Sequence, residues 1–518
     1  MYDPSWSAWI YYGLAGCFAL LFSSIYVLWY RSPAVNWLAV LVCVASLTAT
    51  LLTSFLVPVD IFLVSSFKFK NGTYQPWAED PLVRDQTEKS VLALYYFSYT
   101  FVATFLFIIL PFCYFFFDYN PEEATRYRLL RSLQFTCLSL VLIFTFALLG
   151  YFIPFKEEIP PTILLGFLQP LKGIPVFLLN LLNVIGTFFL IIYTGIGISS
   201  LSCGMIRRER SVHARREVVI SQLEEVEQRI NDIRSRFAED LIPYIEQVDL
   251  DRLEQQARLL RRSHYVLEQK ARSFLNRLLL CIRPFEMTFG IMFMIVSFFI
   301  VLSLILSSVD RAMHSNGPSS GYSLNNTTLP NPIEDVLMFT QKIFPMDFIL
   351  YINIVLLLIF GSVSGLKTVG IGCFCIPAYD VQSGKTQTRG LIWVCAILIY
   401  IIVALNVFMF SLVPNYTTFG NQVFVMNDTS ANTTNTLFCE SRKEGYKEHC
   451  YQTRISFLLT AYHDTMWIFD ALYYWLHWVF IVVVLIGSLL AVYIRRHSFY
   501  RNHNEEDDEV LVNDVNVG

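Results

Sequence analysis

The sequence is poor in charge and lacks the motifs of the common catalytic classes. Only 15% of its 518 residues are charged, whereas a soluble chain carries about a quarter. It contains no Gly-x-Ser-x-Gly, no His-Glu-x-x-His, no paired catalytic carboxylates and no basic patch for nucleic acid. The stretch YDVQSGKT ends like a phosphate-binding loop, but Tyr379 stands where the first glycine is required. We therefore do not expect an enzyme, and we do not expect this chain to power ATP-driven transport by itself.

Long apolar runs take the place of the missing charge. Hydrophobic residues make up 55% of the chain, and runs of about 20 can cross a hydrocarbon core about 30 Å thick. The first run has no basic segment before it, so we interpret it as a retained span and not a signal peptide. The sequence predicts an all-α polytopic membrane protein. Its nine predicted spans are 7–30, 36–63, 91–117, 132–155, 174–203, 284–308, 347–377, 391–413 and 460–494.

The sugar-acceptor sequences predict the orientation. Asn-x-Ser/Thr occurs at Asn71, Asn325, Asn326, Asn415, Asn427 and Asn432. With nine spans, all six sites fall on one side of the membrane. Because N-glycosylation belongs to the secretory lumen, this places the N-terminus in the lumen and the C-terminus in the cytosol. Of eleven cysteines only Cys439 and Cys450 fall in a lumenal loop, where the oxidising environment predicts a disulfide between them.

The segment between spans five and six predicts a cytosolic helical hairpin. Its apolar residues are separated by alternating steps of three and four, in two stretches on either side of Pro243, which favours a break. This seam either joins the two antiparallel arms or docks a partner, and both interpretations stay open. The docking candidates are Leu253, Leu260 and Leu267. The predicted organisation is spans one to five in 1–203, the hairpin in 204–283, spans six to nine with glycosylated loops in 284–494, and an acidic cytosolic tail in 495–518.

Charged residues inside spans are candidate functional positions because burying a charge in a bilayer is costly. The four candidates are Asp60, Lys367, Asp464 and Asp470. Pro58 predicts a bent helix around Asp60 and a cavity there; the alternative is that the helix ends at Val57 and Asp60 hydrogen-bonds locally. Lys367 lies ten residues from the predicted cytosolic end of span seven. Asp464 and Asp470 are about 240° apart on a helix, so they cannot face one groove. No metal site is predicted.

Several segments resemble the cobalamin-linked branch of the limb-region-type membrane protein family. In chain order they are LVPVDIFLVSSFKFKNGTYQPWA, EEVEQRINDIRSR, IRPFEMTFGIMF, SSVDRAMHS, NPIEDVLMFTQKIFPMDFIL and VSGLKTVGIG, followed by the paired lumenal cysteines. The resemblance covers nearly the whole chain. It implies a nine-span lysosomal membrane glycoprotein that serves the export of cobalamin from the lysosome to the cytosol, with no covalently bound cofactor and with cobalamin as the transported ligand.

The resemblance also implies partners. These are a lysosomal subfamily D ABC transporter, a cytosolic cobalamin-trafficking protein and, at the plasma membrane and in clathrin-coated vesicles, a clathrin adaptor for receptor endocytosis. Three hypotheses remain: an escort of the ABC transporter, a cobalamin-conducting transporter, and a receptor or clathrin adaptor. The lack of an energy-coupling motif and the heptad hairpin favour the escort. A homodimer is compatible with the sequence.

Overall fold

The structure is a computed structural model. It describes residues 4–33, 35–117, 125–148, 173–207, 212–237, 243–272, 274–315, 317–322, 328–341, 343, 345–373, 376–379, 384, 386–428, 433–439, 449–462 and 467–501. Within these ranges, nine helices are long and apolar enough to cross a membrane, so the predicted count is confirmed. These spans are Trp6–Tyr30, Trp37–Ser65, Pro81–Phe116, Thr125–Ala147, Val176–Ile206, Met287–His314, Met346–Val369, Thr388–Leu412 and Trp467–Leu490.

The fold is almost entirely helical. The helices are α1 (Pro4–Tyr30), α2 (Trp37–Ser65), α3 (Pro81–Thr104), α4 (Leu110–Phe116), α5 (Thr125–Ala147), α6 (Gly173–Phe189), α7 (Gly195–Arg207), α8 (Val212–Arg236), α9 (Tyr244–Arg272), α10 (Phe274–His314), α11 (Pro332–Thr340), α12 (Met346–Val369), α13 (Thr388–Leu412), α14 (Pro414–Phe419), α15 (Arg454–Tyr462) and α16 (Trp467–Arg501). Two antiparallel ribbons pair β1 (Ile371–Cys373) with β2 (Ile376–Tyr379) and β3 (Val423–Asp428) with β4 (Thr433–Phe438). Short π-helical segments, Phe105–Ile109 and Leu190–Thr194, join α3 to α4 and α6 to α7.

Several predicted span boundaries differ from those of the structure, and three of them have an identifiable structural cause. The third helix begins ten residues early, at Pro81, because the Asp80 carboxylate accepts the Leu82 N–H at 2.9 Å and caps it. The seventh span ends at Val369 and not at 377, because the β1–β2 ribbon follows it. The ninth begins at Trp467, and the residues before it include the separate helix α15.

The chain divides into two compact units. The first joins Met1–Ser200 with Ile295–Ser488, and the second joins Leu201–Met294 with Leu489–Gly518. Inside the first unit, α13 is the central helix, since 83% of its apolar window is buried. It packs against α2, α4, α6 and α12. The short elements α11, α14 and α15 meet the same ends of α2, α3 and α12, and we call this region the short-helix end.

Spans five and seven are in backbone contact. Gly361 and Gly365 form a Gly-x-x-x-Gly pair on α12, the pattern that lets membrane helices approach closely. A Cβ atom at Gly365 would overlap the carbonyl oxygen of Tyr193 in the π-helical segment before α7. A hydrogen bond of 2.7 Å joins Thr194 Oγ1 to Ser362 Oγ across the contact. A side chain at Gly365 would therefore separate two spans.

In the second unit, α8 and α9 form an antiparallel hairpin. Helix α9 begins at Tyr244, immediately after Pro243. Cross-arm contacts run in opposite directions: Arg234 pairs with Glu254, and Arg261 pairs with Glu227, each at 2.6–2.7 Å. The polar contacts flank an apolar seam between the arms.

The apolar residues of the seam pack between the two arms. Ile230 on α8 and Ala257 on α9 are buried. Leu253 and Leu260 are half-buried positions on the same seam, and the side chain of Leu267 lies outside the described residues. The opposite arm covers part of the Leu253 and Leu260 surface, and the role of these leucines in docking a partner stays a prediction.

Candidate functional site

Asp60 is buried near the C-terminal end of the continuous helix α2. Helix α2 passes through Pro58 and ends at Ser65, so the alternative of a helix end at Val57 is wrong. Only 1% of the Asp60 surface is exposed. A buried carboxylate needs hydrogen bonds or a counter-charge, and both come from a part of the chain nearly 400 residues away.

Asp60 belongs to a triad of charged side chains. Its Oδ2 accepts the backbone N–H of Ile455 at 2.9 Å, so Asp60 caps the first turn of α15 from another helix. The positive charge of Arg454 lies close to it. Arg454 also forms an ion pair with Glu88 of α3, and the two side chains are only 19% and 15% exposed. The triad Asp60–Arg454–Glu88 thus joins α2, α3 and α15.

The start of α15 is tied to α14 as well. Thr453 Oγ1 accepts the Ser456 N–H at 3.3 Å and donates to the Thr417 carbonyl at 2.7 Å. Burial lowers the pKa of Arg454, while the charges of Asp60 and Asp85 oppose this. Because arginine stays protonated in proteins, Arg454 remains the cation of the triad.

A row of polar side chains leads from Asp60 into the bundle. The fully buried Tyr95 of α3 lies beside the Asp60 carboxyl, and its ring stacks 6.3 Å from that of Tyr99. Tyr99 Oη accepts from Asn406 Nδ2 at 3.4 Å, and Asn406 Oδ1 accepts from Ser54 Oγ at 2.8 Å. The row therefore connects α2, α3 and the central helix α13.

A second buried acid lies at the short-helix end. Asp347, in the first turn of α12, is 0% exposed. Its Oδ2 accepts from Tyr416 Oη at 3.2 Å and from Asn421 Nδ2 at 2.7 Å. The Tyr416 ring lies 5.8 Å from that of Tyr351, whose hydroxyl is close enough to Tyr95 to interact electrostatically. Tyrosines thus connect the surroundings of Asp347 with those of Asp60.

A third acid, Glu334 of α11, caps α14. Its Oε1 accepts the backbone N–H groups of Asn415 and Tyr416 at 2.6 and 3.3 Å. Asp60 and Glu334 therefore bind the N-termini of α15 and α14, and Glu88 binds the Arg454 guanidinium. These contacts hold α14 and α15 in place. We call Asp60, Glu88, Tyr95, Glu334, Asp347, Tyr416 and Arg454 together the buried polar network.

Sequence reasoning found Asp60 but missed the rest of this network. The one signal available was an acid or arginine next to an apolar helix, as at Asp347 and Arg454. The other predicted intramembrane charges lie elsewhere. Lys367 is exposed in the last turn of α12, so its predicted depth is wrong because the span ends at Val369. Asp470 is 8% exposed in the first turn of α16. Asp464 lies outside the described residues.

The sugar-acceptor asparagines differ in accessibility. Asn71 is exposed, and its Oδ1 accepts from the Thr73 N–H at 3.2 Å and its hydroxyl at 2.7 Å. Asn415 is 8% exposed in the first turn of α14. A glycan there would have to displace the packing around α14, so Asn415 is less accessible than Asn71, and its glycosylation stays a prediction. Asn427 lies in β3, but its side chain is outside the part that the structure describes. Three further sites lie outside the described residues: Asn325, Asn326 and Asn432.

The predicted cysteine pair lies beside a cluster of aromatic and basic side chains. Cys439 and Cys450 are disulfide-bonded, and Phe419 and Phe424 pack with Cys439. Next to Cys450, the His449 carbonyl accepts a hydrogen bond from Lys68 Nζ. Burial lowers the pKa of Lys68, and the nearby positive charge of a neighbouring arginine lowers it further. The disulfide loop is thereby held against the segment that follows α2.

Comparisons with known proteins assign the family. The model of the LMBR1-like membrane protein family matches residues 9–257. The chain is 30% identical to the probable lysosomal cobalamin transporter of Nematostella vectensis, over 97% of this chain and 98% of that one. It is 31% identical to the lysosomal cobalamin transport escort protein LMBD1 of Gallus gallus (98% and 97% covered) and 32% identical to that of Mus musculus (96% and 96%). No solved structure matches the chain. With relatives this similar over nearly its full length, the chain belongs to the LMBR1-like membrane protein family.

Proposed function

We propose that this chain is a lysosomal membrane protein that serves the export of cobalamin from the lysosome to the cytosol, as the escort of a membrane transporter. The observation that carries the proposal is the near-full-length similarity to relatives that are named lysosomal cobalamin transport escort proteins. The match includes the spans, the hairpin and the short-helix end, so it is not limited to one shared module.

The proposed orientation places the short-helix end in the lumen and the hairpin α8–α9 in the cytosol. The exposed Asn71 and the Cys439–Cys450 disulfide support it, since glycans and disulfides form on the lumenal side. The proposed organisation keeps the segments 1–203, 204–283, 284–494 and 495–518 as spans, hairpin, spans and tail. Spans from the first and third segments belong to one compact unit.

The buried polar network favours the escort over a conduit. Arg454 forms an ion pair with Glu88 and lies near Asp60, which accepts the Ile455 N–H at the N-terminus of α15. Residues engaged in this way hold elements together and would have to break their bonds before they could contact a passing solute. The runner-up function, a cobalamin-conducting transporter, is supported by the same network, since polar side chains from several spans meet inside the bundle.

We further propose that the transporter is a subfamily D ABC transporter and that it docks on the hairpin. The proposed docking site is a groove of about 570 Å³ between the arms near their turn, and Leu253 is one of its lining residues. Arg229, Asp232, Arg236, Asp249 and Arg252 are its charged lining residues. Their net charge of about +1, with exposed arginines, suits an acidic segment of the partner. The same groove is available to a cytosolic cobalamin-trafficking protein. The proposal also includes a clathrin-adaptor role, to which no structural element is assigned.

The test uses a charge reversal that spares the seam. Arg236 and Arg252 are exposed, and neither makes an ion pair within the part of the chain that the structure describes. We expect Arg236→Glu with Arg252→Glu to abolish co-purification of the ABC transporter from lysosomes and to raise lysosomal cobalamin. Arg258→Glu, an exposed α9 position outside the groove, is the matched control and should change neither quantity.

Unchanged co-purification in the double variant, at normal protein level, would remove the groove as the docking surface. Normal lysosomal cobalamin in cells that lack this chain altogether would remove the proposed function itself. The two failures are therefore distinguishable.

A further inference from the structure

Within the part of the chain that the structure describes, three buried oxygen atoms at the short-helix end have no hydrogen-bond donor. They are Asp347 Oδ1, Asn421 Oδ1 and Gln341 Oε1. Asp347 is 0% exposed and Gln341 is 4% exposed. Leaving a buried acceptor without a donor is unfavourable, and more so for a charged group. Three such atoms in one region therefore indicate a bound water molecule or ion.

The orientation of the two amides is fixed by their other ends. Asn421 Nδ2 donates to the Asp347 carboxylate at 2.7 Å, and Gln341 Nε2 donates to the Gly420 carbonyl at 3.2 Å. Carboxylate and carbonyl oxygens only accept hydrogen bonds, so the NH₂ groups must face them. Turning either amide would place two acceptors together. The amide oxygens are therefore the ends that remain without a donor.

The backbone around these side chains is built to present them. Gly420 has φ of 56°, a left-handed conformation that favours glycine, and a Cβ atom there would overlap the Ser65 hydroxyl. Ser65 Oγ in turn accepts the Asn421 N–H at 2.9 Å. The last turn of α2 thus fixes the Gly420–Asn421 corner between Gln341, which follows α11, and Asp347, at the start of α12.

The charge of Asp347 has no counter-charge among the described residues. No described lysine, arginine or histidine forms an ion pair with it, and its side-chain donors, Tyr416 and Asn421, are neutral groups. A buried carboxylate requires a counter-charge or a proton. One carboxylate with two amide oxygens is a ligand set of hard oxygens with net charge −1. A monovalent cation neutralises it, whereas a divalent one would leave a buried excess of one positive charge.

We propose that Asp347, Asn421 and Gln341 bind an alkali cation, with Na⁺ as the ion to test first. The bound ion would join the end of α11, the start of α12 and the corner after α14. The site is independent of the proposed function, because it rests on oxygen ligands and not on the relatives' names.

The direct test is binding of radioactive Na⁺ to the purified full-length protein in lipid nanodiscs at constant ionic strength. Potassium chloride and choline chloride serve as competitors that separate the alkali cation from a salt effect. We expect saturable binding near one Na⁺ per chain, competition by unlabelled Na⁺ and none by choline. Asp347→Asn should weaken binding at least tenfold, and Gln341→Met should weaken it by a smaller factor.

The control variant is Asp335→Asn, an exposed acid in the first turn of α11, which should bind Na⁺ as the unchanged protein does. Absence of saturable binding, or binding that Asp347→Asn leaves intact, would overturn the proposal. Lys342, next to Gln341, lies outside the described residues; if Na⁺ bound only in Lys342→Met, the lysine would be the native counter-charge and the proposal would be wrong. Should Asp347→Asn fail to fold, the unchanged protein compared with Gln341→Met decides the question.

Discussion

Replacing Arg454 is the most informative perturbation of the buried polar network. Arg454→Met keeps most of the side-chain volume but leaves the carboxylates of Asp60 and Glu88 without their cation. Removing one partner of a buried ion pair costs about 3–5 kcal/mol, because the other charge stays buried and unpaired. The side chains of this pair are 19% and 15% exposed, so water screens part of the effect. We therefore expect a loss near the lower end, about 3 kcal/mol.

The assay is unfolding of the purified protein by sodium dodecyl sulfate in mixed micelles, followed by tryptophan fluorescence. Lys89→Met is the matched control, since Lys89 pairs with Asp85 at 2.6 Å while 73% and 53% exposed. Such a surface pair contributes about 0–1 kcal/mol. Adding Glu88→Gln to Arg454→Met removes one orphaned carboxylate and should recover about 1 kcal/mol. If Arg454→Met lost no more stability than Lys89→Met, or if the double variant were less stable still, the triad would not hold α15 in place.

Three further predictions concern packing, the disulfide and the sugar sites. Gly365→Leu should lower the free energy of unfolding by about 3 kcal/mol, because any Cβ atom there overlaps the facing carbonyl. In the same assay Gly13→Ala should stabilise α1 by about 0.5 kcal/mol, because a Cβ atom at Gly13 meets nothing within 4 Å. Reducing the Cys439–Cys450 disulfide, which spans a sequence separation of 11, should lower the free energy of unfolding by about 3 kcal/mol and should lower the unfolding midpoint under reducing conditions. An unchanged midpoint would mean that the bond is absent or that its loop is already ordered. On gels of the protein from secretory cells, Asn71→Gln should remove one glycan-sized mobility step and Asn415→Gln none, and a shift with the latter would contradict the packing of α14.

The sequence predicted the spans well because each is a long apolar run. Nine spans follow from length and composition alone, and the hairpin follows from its alternating steps of three and four. The predicted boundaries were wrong where a helix continues into polar residues and where apolar residues follow the end of a helix. Pro81 starts α3 ten residues before its apolar part, and the apolar residues after Val369 enter a β-ribbon that hydropathy cannot separate from a helix.

The buried polar network could not be predicted, because its bonds join distant parts of the chain. The bond from Ile455 to Asp60 connects residues 395 positions apart, and Arg454 meets Glu88 across 366. A single sequence offers only the local signal that an acid interrupts an apolar run. For Asp60 that signal indicated a special environment, but it could not show that the N-terminus of α15 contacts this carboxylate.

The central claim is that this chain escorts a cobalamin transporter and does not conduct cobalamin itself. The measurement that tests it most directly is cobalamin efflux from proteoliposomes that contain this protein alone, the ABC transporter alone, or both, with and without ATP. We predict no efflux above empty vesicles from this protein alone, and ATP-dependent efflux when the transporter is present. ATP-independent efflux from vesicles that contain this protein alone would contradict the account and make the chain the conduit.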